Sequence, residues 1–345
     1  MYRGSVIQTS SFIVTYAFAH FVIDAACAFL LLGVLAVDDH AVTAMIIYNA
    51  SAFVLQAPLG FVIDKVFNPK AASVLGLIFV ALSFLFWNNI FVALLMAGIG
   101  NALFHVGGGS LVLSIKSKTA TWAGLFIAPG GIGLATGSLL AFSQTYISLM
   151  LLPLTLILLA LLLYFVQTPN FERTNTSESL PNLGILIVAL LLIPIVVRSL
   201  TGLSVEFPWK ENRLLLWLLV AAIATGKVTG GVLADKYGLK KVGFGGFIVA
   251  AALLAFFPTI PTLGIFGALT LNLTVTVTLI AIVKVMPQYK GLAFGLTTTA
   301  LFLGAIPALT SHYFFKNEWF VFLLMLTASI ILLIALCTKR FKNGL

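Results

Sequence analysis

The sequence predicts an all-α integral membrane protein with twelve transmembrane helices in two six-helix halves. Three observations carry this reading. Of the 345 residues, 61% are hydrophobic and only 8% are charged. A soluble domain has roughly 45–50% apolar and about 25% charged residues, so the apolar excess is larger than a soluble fold can bury, and lipid is its natural solvent. Twelve apolar runs approach the ~20 residues that a spanning helix needs. One long polar stretch, Gln167 to Asn182, divides them six and six.

The runs are 11–36, 41–63, 71–87, 91–115, 121–143, 147–166, 183–205, 213–234, 242–257, 261–286, 291–313 and 319–338. Turn chemistry separates them at Asp38-Asp39-His40, Asn68-Pro69, Asn88-Asn89, Pro208 and Pro287. The first run exceeds the ~7–15 apolar residues of a signal peptide and reads as a span. The stretch QTPNFERTNTSESLPN, rich in Ser, Thr, Asn and Glu, reads as a linker. The expected organisation is therefore an N-terminal bundle over 1–166, a cytoplasmic linker over 167–182 and a C-terminal bundle over 183–345.

The net charge of +9 does not form a basic stripe or arm, which argues against nucleic acid as a partner. The basic residues instead sort by side. With the N-terminus in the cytoplasm, fourteen Lys and Arg fall at inner span ends and three (Lys210, Arg213, Lys316) at outer ones. Basic residues accumulate on the cytoplasmic side of membrane proteins, so both termini are expected inside a bacterial inner or plasma membrane. Cys27 and Cys337 lie within apolar runs and read as packing residues, with neither a disulfide nor a metal site.

Two loops repeat. GFVIDKVFNPK follows run two and GVLADKYGLKK follows run eight, 171 residues later. Gly60, Asp64, Lys65 and Lys70 match Gly231, Asp235, Lys236 and Lys241 at equal offsets. The Gly lets a helix end pack closely, and the Asp can cap a helix N-terminus or pair with a basic residue. The second copy, with Gly238 and Lys240 as well, resembles the signature loop of the major facilitator superfamily. The first departs from it, with Phe67 in place of the Gly and Pro69 in place of a basic residue. That resemblance spans the chain and implies two parallel six-helix repeats working by alternating access, with these loops latching a cytoplasmic gate.

Three patches narrow the resemblance. Run one holds His20 and Asp24. Run four holds Gly98, Gly100, Asn101, Phe104 and His105. Run seven holds Arg198 and Ser199. Together they resemble fosmidomycin-resistance-type exporters, although Val106 and Gly107 replace the Pro and Glu that follow Phe-His there. This implies proton-coupled export by antiport as the first expectation and import by symport as the next.

Ionisable residues inside spans are costly and usually functional. Asp24 is the acid deepest in a span, so it is the expected proton carrier. His20 lies one turn before it on the same face and is an expected relay. Arg198, about 12 Å below Glu206 at the outer end of its run at 1.5 Å per residue, can grip a carboxylate, phosphate or phosphonate through two parallel hydrogen bonds. Arg198, His105 and Asn101 are thus expected to contact an anionic or polar organic solute, and Lys227 reads as snorkelling to the inner surface. No metal site is expected, since no third ligand stands at metal-like spacing. Run five holds Gly124, Pro129, Gly130, Gly131, Gly133 and Gly137 and resembles the Gly-Pro pattern of the family's antiporters, with Ala128 replacing a Gly. Gly107-Gly108-Gly109 is expected to unwind its helix locally or to admit a ligand. No nucleotide loop, zinc-protease motif or nucleophile elbow is present, so the chain is not expected to be an enzyme. The expected partners are a small solute, protons and membrane lipids, with no cofactor, and the chain is expected to act as a monomer. A lipid flippase and a non-transporting sensor on the same fold are the alternatives.

A fluorescent protein fused after Leu345 is expected to be bright in cells and a fused alkaline phosphatase inactive. The reverse pattern would invert the topology.

Overall fold

The computed structural model describes residues 3–35, 41–86, 88–143, 147–168, 182–310 and 317–338. The turn at 38–40, residues 169–181 of the linker, Lys316 and the basic residues after 338 lie outside that set. Within it there are twelve helical segments long and apolar enough to cross a membrane. In chain order the helices are α1 (Arg3–Leu35), α2 (Ala41–Asn49), α3 (Gln56–Lys65), α4 (Pro69–Ser83), α5 (Ile90–Val112), α6 (Thr119–Phe142) and α7 (Ser148–Phe165). They continue as α8 (Asn182–Ser204), α9 (Arg213–Tyr237), α10 (Leu239–Phe256), α11 (Pro261–Val285), α12 (Lys290–Thr310) and α13 (Glu318–Cys337). A π-helical turn, Ala50–Val54, joins α2 and α3 into the second span.

Helix starts follow the sequence chemistry closely. The side chains of Asn68, Asn89, Asn212 and Asn317 accept backbone N–H groups of the first turns of α4, α5, α9 and α13, which would otherwise be orphaned. Pro69 and Pro261 occupy first-turn positions, where no N–H is needed. Run ends match the helices within a few residues except at the N-terminus. There α1 begins at Arg3 rather than near residue 11, because helical hydrogen bonding continues past the apolar stretch that lipid requires.

Packing divides the chain into two compact units. The first comprises Met1–Lys116, Leu125–Thr174 and Tyr289–Thr299, and the second Ser117–Gly124, Asn175–Gln288 and Ala300–Leu345. In the first unit, α5 is the hub and packs against α1, α2, α3 and α4. Its glycines do not unwind it, since α5 is continuous from Ile90 to Val112. They admit neighbours instead: Gly107 faces Ser73 and the Pro69 carbonyl, Gly108 the rings of Phe126 and Tyr16, and Gly109 the ring of Phe294. Dispersion gained by such close approach is what holds helices together where lipid provides no hydrophobic drive. In the second unit α11 plays the corresponding part against α8, α9 and α10, with Thr270, Thr274, Thr276 and Thr278 buried along it.

The two repeated loops make their turns differently. Gly238 sits between α9 and α10 at φ +87°, ψ 152°, a region nearly confined to glycine. The first copy has Phe67 there and turns through capping Asn68 and Pro69 instead. Gly238→Ala meets no atom within 4 Å, so strain alone is expected to cost about 1–3 kcal/mol. Asn68→Ala is expected to cost ~1 kcal/mol. Both are read from unfolding midpoints in detergent.

Candidate functional site

Helix α1 brings His20 and Asp24 to one face, four residues apart, and α5 does the same for Asn101 and His105. Because α1 packs on α5, the four side chains meet. Asn101 Nδ2 donates to Asp24 Oδ1 at 3.0 Å. Asp24 Oδ2 lies 3.3 Å from His20 Nε2, and Asp24 Oδ1 lies 3.6 Å from His105 Nε2. The two imidazoles approach each other at 2.7 Å, Nε2 to Nε2. His20, Asn101 and His105 are buried, and Asp24 is partly so. Phe104 and Phe126 flank His20, with ring centroids 6.0 and 4.7 Å away. Gly130 of α6 lies so close that a Cβ there would strike His20 Nε2 and Asp24 Oδ2.

The outer ring nitrogens are committed. His20 Nδ1 lies 2.7 Å from the Phe126 carbonyl and His105 Nδ1 lies 2.9 Å from the Asn101 carbonyl. A carbonyl only accepts, so each Nδ1 carries the hydrogen. The contact of Asn101 and His105 with Asp24 and His20 was not legible in the sequence, where both were assigned to solute contact. His20, Asp24 and His105 also place three ligand-type atoms within 4.8 Å of one another. No local spacing marks the third ligand in the sequence, because it comes from another helix 81 residues further on than Asp24.

Arg198 of α8 is buried in the second unit. Its Nη1 donates to Thr278 Oγ1 at 3.0 Å and to Thr274 Oγ1 at 3.4 Å, both on α11. Among the described residues no carboxylate stands within ion-pair distance of it. A guanidinium has five N–H donors, and burial of its charge is expensive without an anion. Ser199 beside it donates to the Leu301 carbonyl. The Arg198–Thr274–Thr278 cluster was half legible. The arginine stood out, whereas the threonines looked like ordinary residues of an apolar run.

The repeated loops do the same chemistry twice. In the first unit Asp64 accepts the N–H groups of Gly291 and Leu292 at the start of α12, both at 2.9 Å. Gly60 lies against the Gly291 backbone, so closely that a Cβ there would collide with it. Lys65 Nζ lies 4.9 Å above the Tyr289 ring. In the second unit Asp235 accepts from the Thr121 N–H and hydroxyl at 2.8 and 2.7 Å and from the Ala120 N–H at 3.3 Å, at the start of α6. Gly231 lies against the Ala120 backbone in the same way. Each aspartate thus places a charge on the positive end of a helix from another span. Lys236 lies over the ring of its neighbour Tyr237, while Lys240 and Lys241 sit in the first turn of α10.

A twelve-span helical chain, with ionisable groups buried in its spans and a capping loop repeated in both halves of its sequence, is a multi-pass membrane transporter in architecture. A family model described as Major Facilitator Superfamily matches residues 10–308, and the chain belongs to that superfamily. Its members are transporters of small solutes rather than enzymes. Similar solved structures include a variant of the E. coli fucose:proton symporter FucP, at TM-score 0.75 and 16% identity, covering 96% of this chain and 98% of that one. Another is FucP in an outward conformation, at TM-score 0.70 and 14% identity, covering 94% and 97%. No curated protein matches the sequence.

Asp64→Asn and Asp235→Asn each replace a doubly accepting carboxylate by an amide with one acceptor. Each is expected to cost ~1–2 kcal/mol in denaturant unfolding of the detergent-solubilised protein, more than Lys241→Ala, whose side chain is near the surface.

Proposed function

We propose that the chain is a proton-coupled secondary transporter for a small anionic or polar organic solute. The observation that carries this is the cluster of Asp24, His20, His105 and Asn101 inside the spans of the first unit. Groups of this kind are costly in a membrane and are retained where charge is moved. Asp24 and His20 form the proton-coupling group. Arg198, with its unused donors and no carboxylate partner among the described residues, receives the acidic group of the solute, and the hydroxyls of Thr274 and Thr278 steer the guanidinium. Asn101 and His105 serve the coupling group through Asp24 and His20, beyond the solute contact first expected of them.

Asp64 and Asp235, with Gly60, Lys65, Gly231, Lys236, Gly238, Lys240 and Lys241 around them, hold helix starts that open and close a cytoplasmic gate as the six-helix halves, 1–166 and 183–345, alternate access. The orientation proposed is both termini in the cytoplasm of a bacterial inner or plasma membrane, from the distribution of Lys and Arg. FucP is described as a proton symporter, which is compatible with coupling to protons and lends no support to the export by antiport that the sequence patches favoured. Direction is therefore left to experiment.

Proteoliposomes holding a pH dye are challenged with lactate, succinate, inorganic phosphate, a phosphonate and L-fucose, with tetraphenylphosphonium as a cationic comparison. The expected result is a proton flux evoked by at least one anionic or polar solute, abolished in Asp24→Asn. In Arg198→Lys the expected result is a weakened response, with a raised half-saturating concentration. Its sign, with or against the solute, gives symport or antiport. Flux unchanged in Asp24→Asn removes that residue from coupling.

A further inference from the structure

We infer that the coupling proton is held between two imidazoles, on the line from His20 Nε2 to His105 Nε2, and that Asp24 is its counter-charge rather than its seat. This rests on the reading of the chain as proton-coupled and names the atoms that hold the proton.

The geometry leaves few ways to fill the space between the rings. Both Nδ1 atoms face carbonyl oxygens and carry hydrogens. A neutral imidazole has one N–H, so in two neutral rings both Nε2 atoms are bare lone pairs. Two lone pairs cannot rest at 2.7 Å with nothing between them. One additional proton resolves the contact: an imidazolium Nε2–H of one ring donates to the bare Nε2 of the other. The positive charge then lies 3.3 and 3.6 Å from the two oxygens of Asp24, and the cluster is neutral as a whole.

A metal ion is the competing occupant. Two nitrogens bound to one zinc at ~2.0–2.1 Å in a tetrahedral site lie about 3.3 Å apart. The observed 2.7 Å is shorter than that and within hydrogen-bonding range. Gly130, pressed against His20 Nε2 and Asp24 Oδ2, further closes that side of the cluster.

The groups facing the pair are known from each element around it. From α1 it is Asp24, with Cys27 beyond it beside Asn101, and from α5 Asn101 and Phe104. From α6 they are Phe126 and Gly130, and from α12 Phe294, whose ring lies 6.5 Å from His105. Asp24 is the acid among them. When the proton leaves, the Nε2–H bond of the imidazolium breaks, so that both rings are then neutral with Nδ1–H intact, and Asp24 stays ionised. The cluster then carries one negative charge and two opposed lone pairs, so the rings must part or admit water. Proton release thereby acts directly on the contact between α1 and α5. This gives the proton a mechanical consequence that a lone carboxyl lacks.

The test is nitrogen NMR of full-length protein in lipid bilayers with ¹⁵N-labelled histidine and no solute present. The chain has four histidines, and the assignments come from His20→Gln and His105→Gln. The expected result is one pair that takes up a single proton as a unit, with a nitrogen–nitrogen coupling across the hydrogen bond. That coupling should be lost in either variant. It should also be lost in Gly130→Ala, which removes no titratable group and displaces the rings. Two histidines that protonate independently in wild type, without that coupling, overturn the inference. So does Zn²⁺ alone, at one equivalent near neutral pH, replacing the shared proton. Because the spectrum is read on wild type without solute, its outcome is separate from that of the flux assay. A present pair with no solute-evoked flux would sink coupled transport, and flux without a pair would sink the shared proton.

Discussion

Lipid offers no hydrogen bonds, and the rest of this structure depends on that constraint. Every backbone N–H and C=O at membrane depth must be satisfied within the chain, which leaves helices as the available solution for these spans. The same constraint acts on side chains. Ser51, Ser73, Ser114, Thr270, Thr274 and Thr278 return their hydroxyls to carbonyls of their own helices. The deep charged and titratable groups reach across to other helices as well. Arg198 reaches two threonines of α11, and His20, Asp24, Asn101 and His105 turn to one another.

Close helix packing makes those meetings achievable. Without a hydrophobic drive between helices, contact depends on small residues, and α5 carries them on several faces. Gly98 opens toward Ser51, Gly100 toward Phe79 and Gly107 toward Ser73. A central helix able to approach several neighbours can place one side chain, His105, against a residue of α1 while holding α4 with the opposite side. Gly130 extends the arrangement to α6, where the missing Cβ leaves room for His20 and Asp24.

The repeated Gly-x-x-x-Asp loop shows how one physical device survives a changed sequence. In both copies the glycine admits a helix start and the aspartate accepts its free N–H groups, from Gly291 and Leu292 in one case and Ala120 and Thr121 in the other. The following turn differs. Gly238 reaches a positive φ, whereas Asn68 and Pro69 build a capped turn where Phe67 precludes the glycine solution. The charge on the helix end is the common element, and the turn is adapted around it.

Span number, span ends, the repeated loops and the isolation of Asp24 and Arg198 were determined by the sequence alone. These follow from local quantities: how many consecutive residues lipid tolerates, where Asn and Pro stop a helix, and which ionisable residues fall inside a run. The continuous course of α5 through three glycines, the threonine setting of Arg198 and the assembly of His20 with His105 were decided by tertiary structure. Asn101 and His105 stand 77 and 85 residues from their partners, on a helix whose rotation no local pattern specifies. That rotation is set by which small residues meet across helices, and it determines that two imidazoles face each other.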